Sequence, residues 1–108
     1  MTLSTHVLDT MHGAPASGVR LRLLHAGLPL FEGTTDADGR CPGLRDLVLH
    51  KGVYRLEFSV AAYFRKLDVT LSDPPFLDII NLDFGLTEGH HHVPLLVSPF
   101  SYSTYRGS

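Results

Sequence analysis

Seven histidines in a chain of 108 residues, His6, His12, His25, His50, His90, His91 and His92, are the feature that most invites chemistry. An imidazole titrates near neutrality, so one group can take and return a proton in a single reaction cycle. His6 lies in Ser4 to Asp9 (STHVLD), where an extended backbone sets Ser4, His6 and Leu8 against Thr5, Val7 and Asp9. Sharing a face with Leu8, it reads on its own as a partly buried, satisfied residue. His90 and His92 point the same way in an extended segment, and His91 points the other. Such a pair could hold zinc, but zinc wants three or four ligands and a supporting shell, and no cysteine or carboxylate pattern supplies them. No metal is therefore expected, and His12, His25 and His50 read as surface residues.

Arg40 follows a turn glycine in the segment Asp38 to Arg40 (DGR). Taken alone it is a solvated residue or the cap of a carboxylate. Its functional reading is a clamp, because a fixed guanidinium can hold the negative charge that develops on a carbonyl oxygen in a closed site. A hydrolase that activates water directly needs only these two residue types. Consistent with that, the chain has no G-x-S-x-G elbow, no P-loop and no dinucleotide fingerprint, and no cofactor is expected. A third polar segment joins His90 to His92 with the tail YSTYRGS, so the candidate groups stand far apart in sequence and the fold has to gather them.

The elements that would do so are short strands. Val19, Leu21 and Leu23 alternate with Arg20 and Arg22, and Tyr54, Leu56, Phe58 and Val60 alternate with Arg55, Glu57 and Ser59 over Gly52 to Val60. The stretch Thr34 to Gly39 (TTDADG) predicts a reversal. Leu44 to His50 has no clear pattern. Ala61 to Lys66 predicts one or two helical turns, and Leu67 to Leu71 another strand or an edge segment. Phe76 to Leu86 predicts a strand buried on both sides at its start. His92 to Val97 is short, apolar and bounded by Pro99, and the tail from Ser101 is polar and aromatic. About seven strands with frequent turn signals and at most one brief helix argue an all-β, antiparallel sandwich.

Composition narrows the class. With 44% hydrophobic residues the chain reads as one globular domain spanning residues 1–108. A net charge of −2 with interspersed signs offers no basic stripe for nucleic acid. The single cysteine, Cys41, cannot make an internal disulfide, the first residues lack a signal-peptide pattern, no stretch is long and apolar enough for a membrane span, and the ending is not a peroxisomal address. A cytoplasmic protein without membrane or nucleic-acid partners is expected.

At these same segments the sequence resembles the 5-hydroxyisourate hydrolases, the urate-pathway branch of the transthyretin family. The resemblance is carried by LSTHVLDT at Leu3 to Thr10 with G-x-P-A-x-G at Gly13 to Gly18, by DGRCPGL at Asp38 to Leu44, and by GVYRLEF at Gly52 to Phe58 with Tyr63 and Phe64. H-x-HVPLL at His90 to Leu96 and the ending SYSTYRGS complete it. The final YRGS resembles the tetrapeptide that marks the enzymes and that the thyroid-hormone carriers lack. The resemblance implies a transthyretin-like sandwich of two four-stranded sheets with one short helix, assembled as a homotetramer, a dimer of dimers, with sites between dimers. It implies His6, Arg40, His92 and Ser108 as catalytic residues, and His6, Arg40, Tyr105, Arg106 and Gly107 as contacts of a purine-derived substrate. The implied reaction is hydrolysis of 5-hydroxyisourate to 2-oxo-4-hydroxy-4-carboxy-5-ureidoimidazoline by histidine-activated water. A small-molecule carrier of the transthyretin type is the alternative. One departure stands out: the family has tyrosine where this chain has His91.

Overall fold

Alternation of apolar and polar residues shapes nearly every strand of the computed structural model, which describes residues 1–107; Ser108, one of the expected site residues, lies outside them. Within this range the strands are β1 (Thr2–Ser4), β2 (Val7–Asp9), β3 (Ala14–Pro15), β4 (Arg20–His25), β5 (Leu28–Thr34), β6 (Gly52–Ser59), β7 (Ile79–Leu86), β8 (His90–His92), β9 (Leu95–Val97) and β10 (Tyr102–Thr104). A 3-10 turn covers Pro42–Asp46, and one α-helix, α1, covers Val60–Lys66.

Strands β5, β4, β6 and β7 form one four-stranded sheet in that order, and β10, β9, β2 and β3 form the other. Leu21, Leu23, Tyr54, Leu56, Phe58, Ile80 and Leu82 turn inward from the first sheet to meet Val7, Leu95 and Val97 from the second, with Phe64 of α1 closing the core. The all-β sandwich of two four-stranded sheets with one short helix is therefore the architecture.

Four details differ from the sequence expectation. Two of the pairings are parallel: β2 runs alongside β9, and β1 alongside β8. The early and late segments meet side by side because each crosses the sandwich in the same direction. The stretch Leu67 to Leu71 is not a strand. α1 ends at Lys66 with Leu67 as its cap, Asp68 adopts a positive φ of 59°, and the Val69 N–H folds back onto the Phe64 carbonyl, leaving Val69 and Leu71 as half-buried patches on the core. The start of Phe76 to Leu86 is not buried on both sides, since Phe76 is 70% exposed and Ile79, where β7 begins, is 54% exposed. Pro74 and Pro75 have no N–H to offer a sheet, and β7 is an edge strand with one face open. Finally, β6 stops at Ser59, and Val60, buried as expected, opens α1 instead.

At the far end of β2, Asp9 is buried and accepts three hydrogen bonds: from the His12 N–H (3.0 Å), from His12 Nδ1 (2.6 Å) and from the Tyr63 hydroxyl (2.8 Å). Burial alone would raise the carboxyl pKa, but these donors outweigh it and hold the group below its ordinary value. His12, exposed as expected, thus also ties the β2–β3 turn to a carboxylate that anchors α1.

Candidate active site

His6 stands in the two-residue gap between β1 and β2. The parallel ladder continues across it, because Val93 N–H donates to the Ser4 carbonyl and Leu95 N–H to the His6 carbonyl, each at 2.9 Å. Alternation therefore survives the gap: Thr5, Val7 and Asp9 are buried, whereas Ser4, His6 and Leu8 are half-buried. His6 also pairs with Arg40 through an isolated antiparallel bridge, which brings the first strand and the DGR turn together.

That turn is built by Asp36. Its Oδ1 accepts from the N–H groups of Asp38 (2.9 Å) and Arg40 (3.0 Å), and its carbonyl accepts from Gly39 N–H. Gly39 has φ +75°, and a Cβ there would collide with the Val7 carbonyl and press on the His6 ring. Only glycine lets the turn close onto β2 and deliver Arg40, whose side chain is exposed, beside His6.

His92 arrives from β8, whose parallel register aligns Ser4 with His92 and Thr2 with His90. The tail returns to it: His92 N–H donates to the Gly107 carbonyl (3.3 Å) and Gly107 N–H to the His92 carbonyl (2.7 Å). Gly107 lies so close that a Cβ on it would sit 3.0 Å from Cδ2 of the His92 ring. Burial, then the charges of Arg40 and His6, and after them His90 and Arg45, hold the His92 imidazole below its ordinary pKa of 6.5. A neutral imidazole next to a permanent guanidinium can accept a proton while the guanidinium holds negative charge. Among the described residues no three His, Cys, Asp or Glu side chains are grouped as a metal site.

His6, Arg40, His92 and Gly107 are thus brought together. Tyr105 and Arg106 go elsewhere in the single chain, lining a groove with Asn81, Asp83, Phe84 and His91, and Tyr105 is 59% exposed. His91 faces that groove, away from His92. It is 3% exposed, and its Nε2 accepts the Thr87 N–H (3.3 Å). Three further polar residues border the site that were not singled out from the sequence: Thr2, Ser4 and Arg45. Ser4 and Arg45 share a cavity of about 240 Å³ with Thr5, Arg40, Cys41 and Pro42. Ser4 had a readable signal, its strand parity with His6; Arg45, in a segment without a pattern, had none.

A β-sandwich that gathers two imidazoles and a guanidinium has the side chains for acid–base and anion-holding chemistry in one place. The family is specific: the chain belongs to the HIUase/Transthyretin family, whose model matches residues 3–107. It is 49% identical over 114 aligned positions to the 5-hydroxyisourate hydrolase of Deinococcus radiodurans, covering 98% of this chain and 95% of that one. The structure of Klebsiella pneumoniae 5-hydroxyisourate hydrolase superimposes with a TM-score of 0.87 at 36% identity, covering 99% of this chain and 93% of that one. Sea bream transthyretin in complex with thyroxine superimposes with a TM-score of 0.85 at 32% identity, covering 99% and 95% of the two chains.

Proposed function

We infer that this chain hydrolyses 5-hydroxyisourate, an enzyme of urate breakdown. The observation that carries the reading is the meeting of His6, Arg40 and His92 from three separate segments, in a chain nearly half identical to a protein of that name. In the mechanism, one imidazole takes a proton from water as the water oxygen attacks a ring carbonyl carbon. Arg40 holds the oxyanion of the tetrahedral intermediate. The carbon–nitrogen bond then breaks, and the leaving ring nitrogen receives the proton from the imidazolium, so the histidine is restored and one water is consumed. The product keeps the purine-derived skeleton with one ring opened, and no step requires a cofactor.

Assembly follows the same reading. Strands β7 and β10 are sheet edges with one partner each, so they can pair with a second copy and make a homotetramer, a dimer of dimers. Tyr105 and Arg106, exposed in one chain, would then contact substrate at an interface between dimers. We place the protein in the cytoplasm; among the described residues no helix is long and apolar enough to cross a membrane.

The alternative, a carrier of the transthyretin kind, is favoured by the likeness to sea bream transthyretin. Against it stands the lining: imidazoles and guanidiniums suit a planar, hydrogen-bonding purine derivative better than an apolar hormone. The test is the ultraviolet absorbance of freshly made 5-hydroxyisourate with and without the protein. Accelerated decay is expected, and decay at the spontaneous rate from the folded assembly would remove the enzyme reading.

A further inference from the structure

Ser4 Oγ stands 2.7 Å from His92 Nδ1 and 2.9 Å from His90 Nε2. His90 Nδ1 lies 2.6 Å from Thr2 Oγ1, and an Arg45 guanidinium nitrogen lies 3.3 Å from His90 Nε2. We propose that Ser4 and His90, with Arg45 behind them, are positioning residues that hold His92 with its proton on Nδ1, leaving the Nε2 lone pair free to serve as the base. This rests on the hydrolase reading above and assigns the base within it.

Direction follows from hydrogen counting. A guanidinium has donors only and does not deprotonate, so the His90 nitrogen facing it, Nε2, must carry a lone pair. With its proton on Nδ1, His90 donates to Thr2 Oγ1. With no hydrogen on His90 Nε2, the 2.9 Å contact to Ser4 Oγ requires the one hydroxyl hydrogen of Ser4 to lie between the two atoms, so Ser4 donates there beside the longer Arg45 contact. Having given that hydrogen away, Ser4 Oγ can only accept at its other contact, so His92 must donate from Nδ1. The reverse chain would point a His90 N–H at the Arg45 N–H groups.

The surroundings favour the neutral forms this requires. Burial, Arg45 and His91 push the His90 pKa down, and His92 is pushed down by burial, Arg40, His6, His90 and Arg45. The parallel register fixes the geometry, since Thr2 with His90 and Ser4 with His92 are direct neighbours across the ladder. A ring held at one nitrogen presents the other in a set direction, which is how a partner group selects the working nitrogen of a histidine.

The test reads the tautomer directly. Protein labelled with nitrogen-15 in histidine is examined by long-range proton–nitrogen correlation NMR at pH 8, without substrate, with His92 assigned by its loss in His92→Asn. The wild type is expected to show His92 protonated at Nδ1, and Ser4→Ala to shift it toward Nε2–H. Ser4→Thr, which keeps the hydroxyl, should restore Nδ1–H. In parallel, kcat should fall about 10- to 100-fold in Ser4→Ala, the usual loss when a partner that orients an imidazole is removed, with KM little changed, and Ser4→Thr should recover most of it. Arg45→Met, which removes a charge facing both imidazoles, should move the acid limb of the pH profile to higher pH. A wild-type His92 protonated at Nε2 overturns the proposal whether or not any variant folds, as does an unchanged tautomer and kcat in Ser4→Ala. Because the NMR needs no substrate, failure of the hydrolase reading would appear separately, in the absorbance assay.

Discussion

Gly39 shows how one residue can govern a site it does not touch chemically. Its left-handed backbone costs a residue bearing a Cβ about 1–2 kcal/mol, and a Cβ there would strike the Val7 carbonyl as well. Gly39→Ala is therefore expected to lower Tm by about 5 °C or more, and to impair hydrolysis because Arg40 and His6 are set by the same turn; calorimetry and the absorbance assay check both. Arg40→Lys should lower kcat/KM even with the fold intact, since an ammonium cannot reproduce a planar, two-pronged donor; unchanged kcat/KM would make Arg40 a structural residue. The pH dependence has two signs to separate. Because the His92 pKa lies below 6.5, the base stays neutral as pH falls past that value, and the acid limb of kcat/KM should have its midpoint below 6.5. The Asp9 carboxyl, lowered from 3.8, contributes stability that is fully present above that pH and is lost as pH falls through the lower folded value. Asp9→Asn should flatten that acid loss in a denaturant titration across pH. At this scale His6, Arg40 and His92 were legible because they sit inside motifs of known order, Ser4 only as far as its strand parity with His6, and Arg45 not at all: a hydroxyl and a guanidinium become partners of an imidazole only once a register is known.

Among the elements, the tail is the one whose behaviour departs most from what its position suggests. Polar residues near a terminus are normally frayed, yet β10 pairs with β9 and Gly107 pairs with His92. Removing Tyr105 to Ser108 should abolish hydrolysis with only a modest loss of Tm, because Tyr105 and Arg106 are exposed and Gly107 has no side chain to bury. Near-normal activity of the truncated protein, at a matched assembly state measured by light scattering, would deny the tail a part in the site. Strands with alternation, strict in β6 and kept in β4 as far as Leu23, could be read from their pattern, and the helix from a short run free of glycine and proline. The parallel ladders could not, since period-two alternation says which face is buried but not which neighbour a strand takes. The same blindness misplaced Leu67 to Leu71, whose alternation comes from a loop lying half-buried on the core.

For the whole molecule, the proposed assembly, in which the edges of β7 and β10 pair with second copies and Tyr105 meets substrate between dimers, would leave one chain with an incomplete site. Activity per chain should stay constant on dilution until the assembly dissociates and fall below that point; activity that persisted where light scattering finds single chains would place the complete site within one. The parallel ladders add a consequence for how the protein is made. The sheet of β4 to β7 uses contiguous sequence and can form as it leaves the ribosome, but β2 has to wait for β9, some 88 residues later by its pairing of Val7 with Leu95. Contacts so distant along the chain form late. Until β8 and β9 are made, β1 and β2 lack the parallel neighbours that hold Leu3 and Val7, fully buried in the finished protein, in place against the core, so the newborn β1–β2 segment is the one that a chaperone would have to shield during synthesis.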